Sequence, residues 1–118
     1  MANWHCVGRV DAFEVDFSEE VTLDGQVIAV HPTEEGFFAT SGICTHEDER
    51  IFEGLLDRCQ IECPKHMARF DVRTGAALSP PAITPLLTYQ VELRDDYVWV
   101  NVPVGDRDDT GQSPTWNS

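Results

Sequence analysis

The residues of this chain best suited to chemistry form two short cysteine–histidine clusters. Cys44-Thr45-His46 is a C-x-H motif and Cys63-Pro64-Lys65-His66 is a C-x-x-H motif, with sixteen residues between His46 and Cys63. A thiolate and an imidazole two or three positions apart can reach one centre from a single tight loop. Together the clusters offer four ligands to a soft or borderline metal. Ser41-Gly42 and Pro64 suit loop positions, and Glu47-Asp48-Glu49-Arg50 marks an exposed loop tip. Two centres fit this set. One is a tetrahedral Cys2His2 zinc site; the other is a [2Fe–2S] cluster in which two His replace two Cys on one iron. Common zinc spacings place Cys with Cys and His with His, so these mixed pairs are unusual for zinc.

The remaining reactive side chains read as ordinary. Cys6 and Cys59 are expected to be buried thiols, with Cys59, four positions before Cys63, the one competing ligand. His5 and His31 have no Cys at ligand spacing and are expected to be structural or superficial.

The elements that must position the two clusters read as short strands. Val27–Val30 and Gly36–Thr40 flank the acidic turn Thr33-Glu34-Glu35. Leu86–Leu93 and Tyr97–Val102 form a hairpin around Arg94-Asp95-Asp96. Phe70–Val72 and Ala76–Leu78 flank Arg73-Thr74-Gly75, where Gly suits a positive φ. His46–Leu56 has room for one short helical turn, and no stretch sustains a helical apolar period. The fold class is therefore all-β, an antiparallel sandwich or barrel.

The chain has 118 residues and a mass of 13.2 kDa, one domain's worth. Eight basic against 21 acidic residues give a net charge of −13. That sign disfavours nucleic acid and anionic membranes as partners and suits a basic protein surface. A hydrophobic content of 42% argues against disorder. No apolar run approaches the roughly 20 residues of a membrane span. The N-terminus lacks the basic and apolar regions of a secretory signal, so a cytoplasmic location with reduced thiols is expected. Residues 103–118 read as a polar C-terminal tail in which Trp116 could pack back on the body.

Beyond the ligand spacing, the chain carries Arg69-Phe70-Asp71-Val72-Arg73-Thr74-Gly75 and then Ser79-Pro80-Pro81. With these, the stretch from about Trp4 to Val102 resembles a Rieske-type [2Fe–2S] ferredoxin, of the kind that serves bacterial ring-hydroxylating oxygenases. The resemblance implies a β-sandwich over residues 1–102 with a small cluster-binding subdomain at about 41–72. It implies that Cys44 and Cys63 hold an inner iron and that His46 and His66 hold an outer one. It also implies that Pro80-Pro81 covers the cluster from a third side; by itself that pair reads as a strand-ending turn.

High-potential relatives carry a disulfide between the ligand loops, at positions that correspond here to Glu49 and Lys65. They also carry hydroxyl side chains after the last ligand, where this chain has Ala68 and Phe70. Fewer donors to the sulfurs stabilise the reduced state less. A low-potential centre is expected, near the roughly −150 mV end of the Rieske range.

A cluster with all ligand positions filled performs outer-sphere, one-electron transfer. The resemblance thus implies a carrier, not itself an enzyme, between an NAD(P)H-dependent reductase and a terminal oxygenase. Glu47, Asp48 and Glu49 are expected to steer docking onto basic partner surfaces. A monomer is expected, so that the cluster can face each partner in turn. Two other functions stay open: a redox component of another reductase or oxidase complex, and a zinc-stabilised binding module. An oxygenase would need a mononuclear iron site, for which only His5 and His31 remain. No GxGxxG signature for NAD or flavin is present.

Overall fold

The computed structural model describes residues 2–43, 50–63, 68–79 and 84–103, apart from the side chain of Phe52. Expectations concerning Cys44, His46, Glu47, Asp48, Glu49, Lys65, His66, Pro80-Pro81 and residues 104–118 lie outside the described residues.

The described chain runs through β1 (Trp4–Arg9), β2 (Glu19–Leu23), β3 (Gln26–Thr33), β4 (Gly36–Ser41), β5 (Leu55–Asp57), β6 (Gln60–Glu62), β7 (Arg69–Asp71), β8 (Thr88–Tyr89), β9 (Val91–Arg94) and β10 (Tyr97–Asn101). These pair antiparallel in three sheets, ordered β1-β10-β9, β2-β3-β4-β8 and β5-β6-β7. Among the described residues the helical pieces are two 3₁₀ turns, Val10–Ala12 and Ile51–Glu53. The second falls within the stretch where the sequence leaves room for one.

β3 explains the layering. Val27-Ile28-Ala29-Val30 is an unbroken apolar run, as expected of a strand covered on both faces. Ile28 and Val30 join Ala39, Val100 and Val102 in one core, toward the β1-β10-β9 sheet. Ala29 joins Leu56, Ile61, Cys63, Phe70 and Val72 in a second core, toward the β5-β6-β7 sheet. Side chains alternate along a strand, so neighbouring residues of β3 serve different cores and the β2-β3-β4-β8 sheet is the middle layer. The small sheet is also tied to this layer by polar contacts. The Cys59 thiol meets Thr33 Oγ1 at 3.5 Å, and Arg73 bonds both Asp71 and Glu35. The Arg73 guanidinium holds the Asp71 carboxyl below its ordinary range.

Two expectations are corrected. Leu86–Leu93 is not one strand. It breaks at Gln90, because β8 pairs with β4 whereas β9 pairs with β10. The Gln90 carbonyl and side chain are instead taken by Asn101, at 2.9 and 2.8 Å. Cys6 is exposed rather than buried. It sits opposite Trp99 on the outer face of its sheet, where Arg94 lies over the rings of Trp4 and Trp99.

The tight turns follow backbone chemistry. Asp95-Asp96 (φ 52° and 70°) and Asp24-Gly25 (φ 52° and 78°) are left-handed pairs that close hairpins. Gly75 (φ 84°) takes the positive φ foreseen for it. Arg58-Cys59 (φ 53° and 64°) closes β5–β6 without Gly or Asn. Left-handed conformations cost most L-residues about 1–2 kcal/mol, and Asn least among those with a Cβ. Arg58→Asn is therefore expected to stabilise the protein by about 0.5–1 kcal/mol; an unchanged or lower urea midpoint would contradict this.

Candidate metal centre

The four sequence-derived ligands lie on two loops whose roots are both described. The first loop leaves β4 through Ser41-Gly42-Ile43 and returns at Arg50, which bridges Ile43. Gly42 N–H donates to Val27 O, and Ile51 N–H donates to Gly42 O, both at 2.8 Å. Gly42 lies so close to Val27 that a Cβ there would stand 2.7 Å from its Cγ1. Arg50 also pairs with Glu20 of β2, which fixes the returning limb to the middle sheet.

The second loop is the tip of the β6–β7 hairpin. Its root is closed by the Cys63 N–H, which donates to Ala68 O at 2.7 Å. Cys63 and Ala68 are both fully buried, in the same core as Ile51 and Phe70. A third segment arrives at the same root. Leu78 N–H donates to Arg69 O, and Arg69 N–H donates to Ser79 Oγ at 3.1 Å, so Leu78 and Ser79 lie against the first residue of β7.

The first two roots are joined through Gly54. This residue follows the Ile51–Glu53 turn, and a Cβ on it would overlap the Glu62 carbonyl. Leu55 then pairs with Glu62, the residue before Cys63. The two segments, each bearing one Cys and one His in sequence, therefore leave from adjoining roots, one on β4 of the middle sheet and one on the β6–β7 hairpin of the small sheet.

The other sequence-flagged side chains do not join them. Cys59 lies at the opposite end of β6 from Cys63, about 13 Å of extended chain away, with its thiol on Thr33. His5 Nε2 lies 3.3 Å from Asp24 and 3.1 Å from Asn3, beside the β2–β3 turn. His31 is fully buried between Ser18 and Thr40. Among the described residues, no three His, Cys, Asp or Glu side chains are placed to hold a metal, so there is no rival site there. Sequence reasoning missed the Glu20–Arg50 tie, the Ser79 contact and the buried His31 chain. Nothing local in the sequence signals the first two. The Asp24-Gly25 dipeptide, a strong hairpin signal, would have located β2 and hence Glu20.

This arrangement defines a class: a layered antiparallel β-sheet protein in which two Cys/His-bearing segments leave from adjoining roots. The chain belongs to the Rieske [2Fe–2S] domain family, whose match spans residues 3–90. It is 38% identical over 82 residues to the ferredoxin component of a naphthalene 1,2-dioxygenase system from Pseudomonas aeruginosa, covering 70% of this chain and 79% of that one. It is 33% identical over 102 residues to an anthranilate 1,2-dioxygenase ferredoxin subunit from Burkholderia cepacia, covering 86% and 94%. Among solved structures it resembles the ferredoxin in a complex of reduced oxygenase and oxidised ferredoxin of carbazole 1,9a-dioxygenase. That match has a TM-score of 0.78 and 32% identity, and covers 81% of this chain and 99% of that one. The cofactor is thus a Rieske [2Fe–2S] cluster, and the chain is an electron carrier rather than a catalyst. The described part of the site fits such a group: Cys63 is buried at a closed loop root, in an apolar setting. No helix of the described residues is long and apolar enough to cross a membrane.

Proposed function

We propose that Cys44, His46, Cys63 and His66 hold the cluster, the two Cys on the inner iron and the two His on the outer one. We further propose that the chain passes single electrons from an NAD(P)H-dependent reductase to a terminal oxygenase that acts on aromatic compounds. The observation that carries this reading is the adjoining position of the two loop roots, with Cys63 buried at the second of them. The cluster supplies reversible one-electron chemistry with no open position for substrate.

The chain's own residues set the conditions. The apolar core around Cys63 keeps water from the inner side. Buried Ala68 and Phe70 bring no hydroxyl to the second loop, which favours a low potential. A carrier of this kind matches the pairing of ferredoxin with oxygenase in the carbazole system.

Dithionite-reduced protein is expected to give a rhombic EPR signal whose average g lies below that of all-cysteine clusters. Its midpoint in protein-film voltammetry is expected below zero. Cys63→Ser is expected to abolish the signal and Cys59→Ser to retain it. Colourless protein with stoichiometric zinc, or loss of the signal in Cys59→Ser, would overturn the assignment. A midpoint above zero would reject the low-potential reading alone.

A further inference from the structure

His31 is fully buried on β3, and its ring bridges two other chain segments. Nδ1 lies 2.6 Å from Ser18 Oγ, and Nε2 lies 2.9 Å from Thr40 Oγ1. The direction of these bonds follows from the next link. Thr40 has one hydroxyl proton and donates it to Ser41 O at 2.9 Å. It must therefore accept from His31, which places the ring proton on Nε2 and leaves Nδ1 to accept from Ser18. Burial keeps the imidazole neutral, as this one-proton arrangement requires. The result is a directed chain: Ser18 O–H to Nδ1, Nε2–H to Thr40, Thr40 O–H to the Ser41 carbonyl.

That carbonyl belongs to the peptide unit where the chain leaves β4. Its other end is also held, since Gly42 N–H donates to Val27 O at 2.8 Å. The following peptide unit is held in the same way. Gly42 O accepts from Ile51 N–H at 2.8 Å, and Ile43 N–H donates to Ser41 Oγ at 3.3 Å. Two successive peptide planes before Cys44 are thus bonded at both ends. The hold on the first carbonyl depends on a hydroxyl whose direction His31 sets.

We propose that His31 is a positioning residue for the cluster: through Thr40 and the Ser41 carbonyl it fixes the angle at which the chain enters the first ligand loop. This rests on the assignment of Cys44 and His46 as ligands. Outer hydrogen-bond partners that orient ligands typically change metal affinity by 10–100-fold when removed. A buried His with the same contacts but no tie to the loop root would affect stability alone.

The test uses cluster-loaded protein. Thr40→Val removes the middle link at nearly constant volume, and Thr40→Ser restores the hydroxyl. Thr33→Val is the matched control. Thr33 lies on the same strand as His31, is almost fully buried and donates to Gly36 O at 2.8 Å; its hydroxyl also meets the Cys59 thiol, at the end of β6 away from Cys63, and has no bond to the root of the first loop. Iron release to a chelator is expected to quicken about tenfold or more in Thr40→Val, the lower end of outer-partner effects. The EPR g-values are expected to shift with it. Thr40→Ser should return both toward wild type, and Thr33→Val should lower the melting temperature without moving either. Equal release rates and g-values in Thr40→Val and Thr33→Val would overturn the proposal. Should Thr40→Val not fold, His31→Phe breaks the chain from its other end and is read by the same criteria. Failure of the ligand assignment is seen separately, as a wild-type protein without the Rieske signal.

Discussion

Gly54→Ala is expected to yield protein that keeps its two larger sheets and does not retain a cluster. Its Cβ would overlap the Glu62 carbonyl oxygen and press on the Glu62 carbonyl carbon and Ile51 O. These are backbone atoms, so no side chain can turn aside. Either the Ile51–Glu53 turn lifts from β6 or the β5–β6 pairing shifts, and both separate the roots of the two ligand loops. Overpacking of this kind costs typically 1–3 kcal/mol, and here the strain falls on the joint between the loops. Gly25→Ala is the contrast. It meets nothing within 4 Å and carries only its φ of 78°, a cost of about 1–2 kcal/mol that falls on no neighbouring atom. Visible absorbance per protein, measured beside far-UV circular dichroism, distinguishes the two. A Gly54→Ala protein with full cluster content would show that the roots need not be held together.

The second large effect is a loss of stability in mild acid that His31 controls. Burial lowers its pKa from 6.5 to about 3. Between those values the unfolded chain binds a proton that the folded protein does not. Stability contributed by neutral His31 is therefore complete above pH 6.5 and falls as the pH drops toward 3. At about 1.36 kcal/mol per pH unit, on the order of 2 kcal/mol is lost between pH 6.5 and pH 5. His31→Gln removes the titrating group and can still donate to Thr40. The 21 acidic residues also titrate, but they do so in both proteins and cancel in the difference. The gap in unfolding free energy between wild type and variant is expected to favour the variant by that amount more at pH 5 than at pH 7. A gap unchanged with pH would mean that His31 protonates as readily folded as unfolded.

Legibility in the sequence followed the locality of the signal. Val27–Val30, Gly36–Thr40 and the Asp95-Asp96 hairpin were readable because β-formers ran up to a turn whose chemistry was visible. The small sheet was not: β5 and β6 are three residues each, and their turn, Arg58-Cys59, carries neither Gly nor Asn. It is held by the apolar core beneath Ile61 and Phe70, a contact between segments distant in the chain. β1 was hidden by the Cys6–Gly8 bulge, which interrupts its alternation. The candidate ligand motifs stand out in the sequence because metal chemistry demands particular residue types at short spacing. Their supports were not, since Glu20 meets Arg50 thirty positions away and His31 meets Thr40 across two strands. Cys6 was misjudged because residue type predicts average burial, whereas register with Trp99 decides its face.

The neighbouring positions of β4 and β8 have a consequence for construction. Thr40 pairs with Thr88, and Ser41 N–H donates to Leu87 O at 2.8 Å. The stretch that carries the candidate ligands therefore leaves from one strand and comes back on the strand alongside it. The whole excursion is a cassette with abutting ends, spliced into what is otherwise an ordinary hairpin. The excursion is not self-contained, because it is also pinned to the sheet it leaves: Gly42 N–H reaches Val27 O, Arg50 pairs with Glu20 and the Cys59 thiol meets Thr33, so any host would have to offer the matching faces of β2 and β3 as well as two adjacent antiparallel strands.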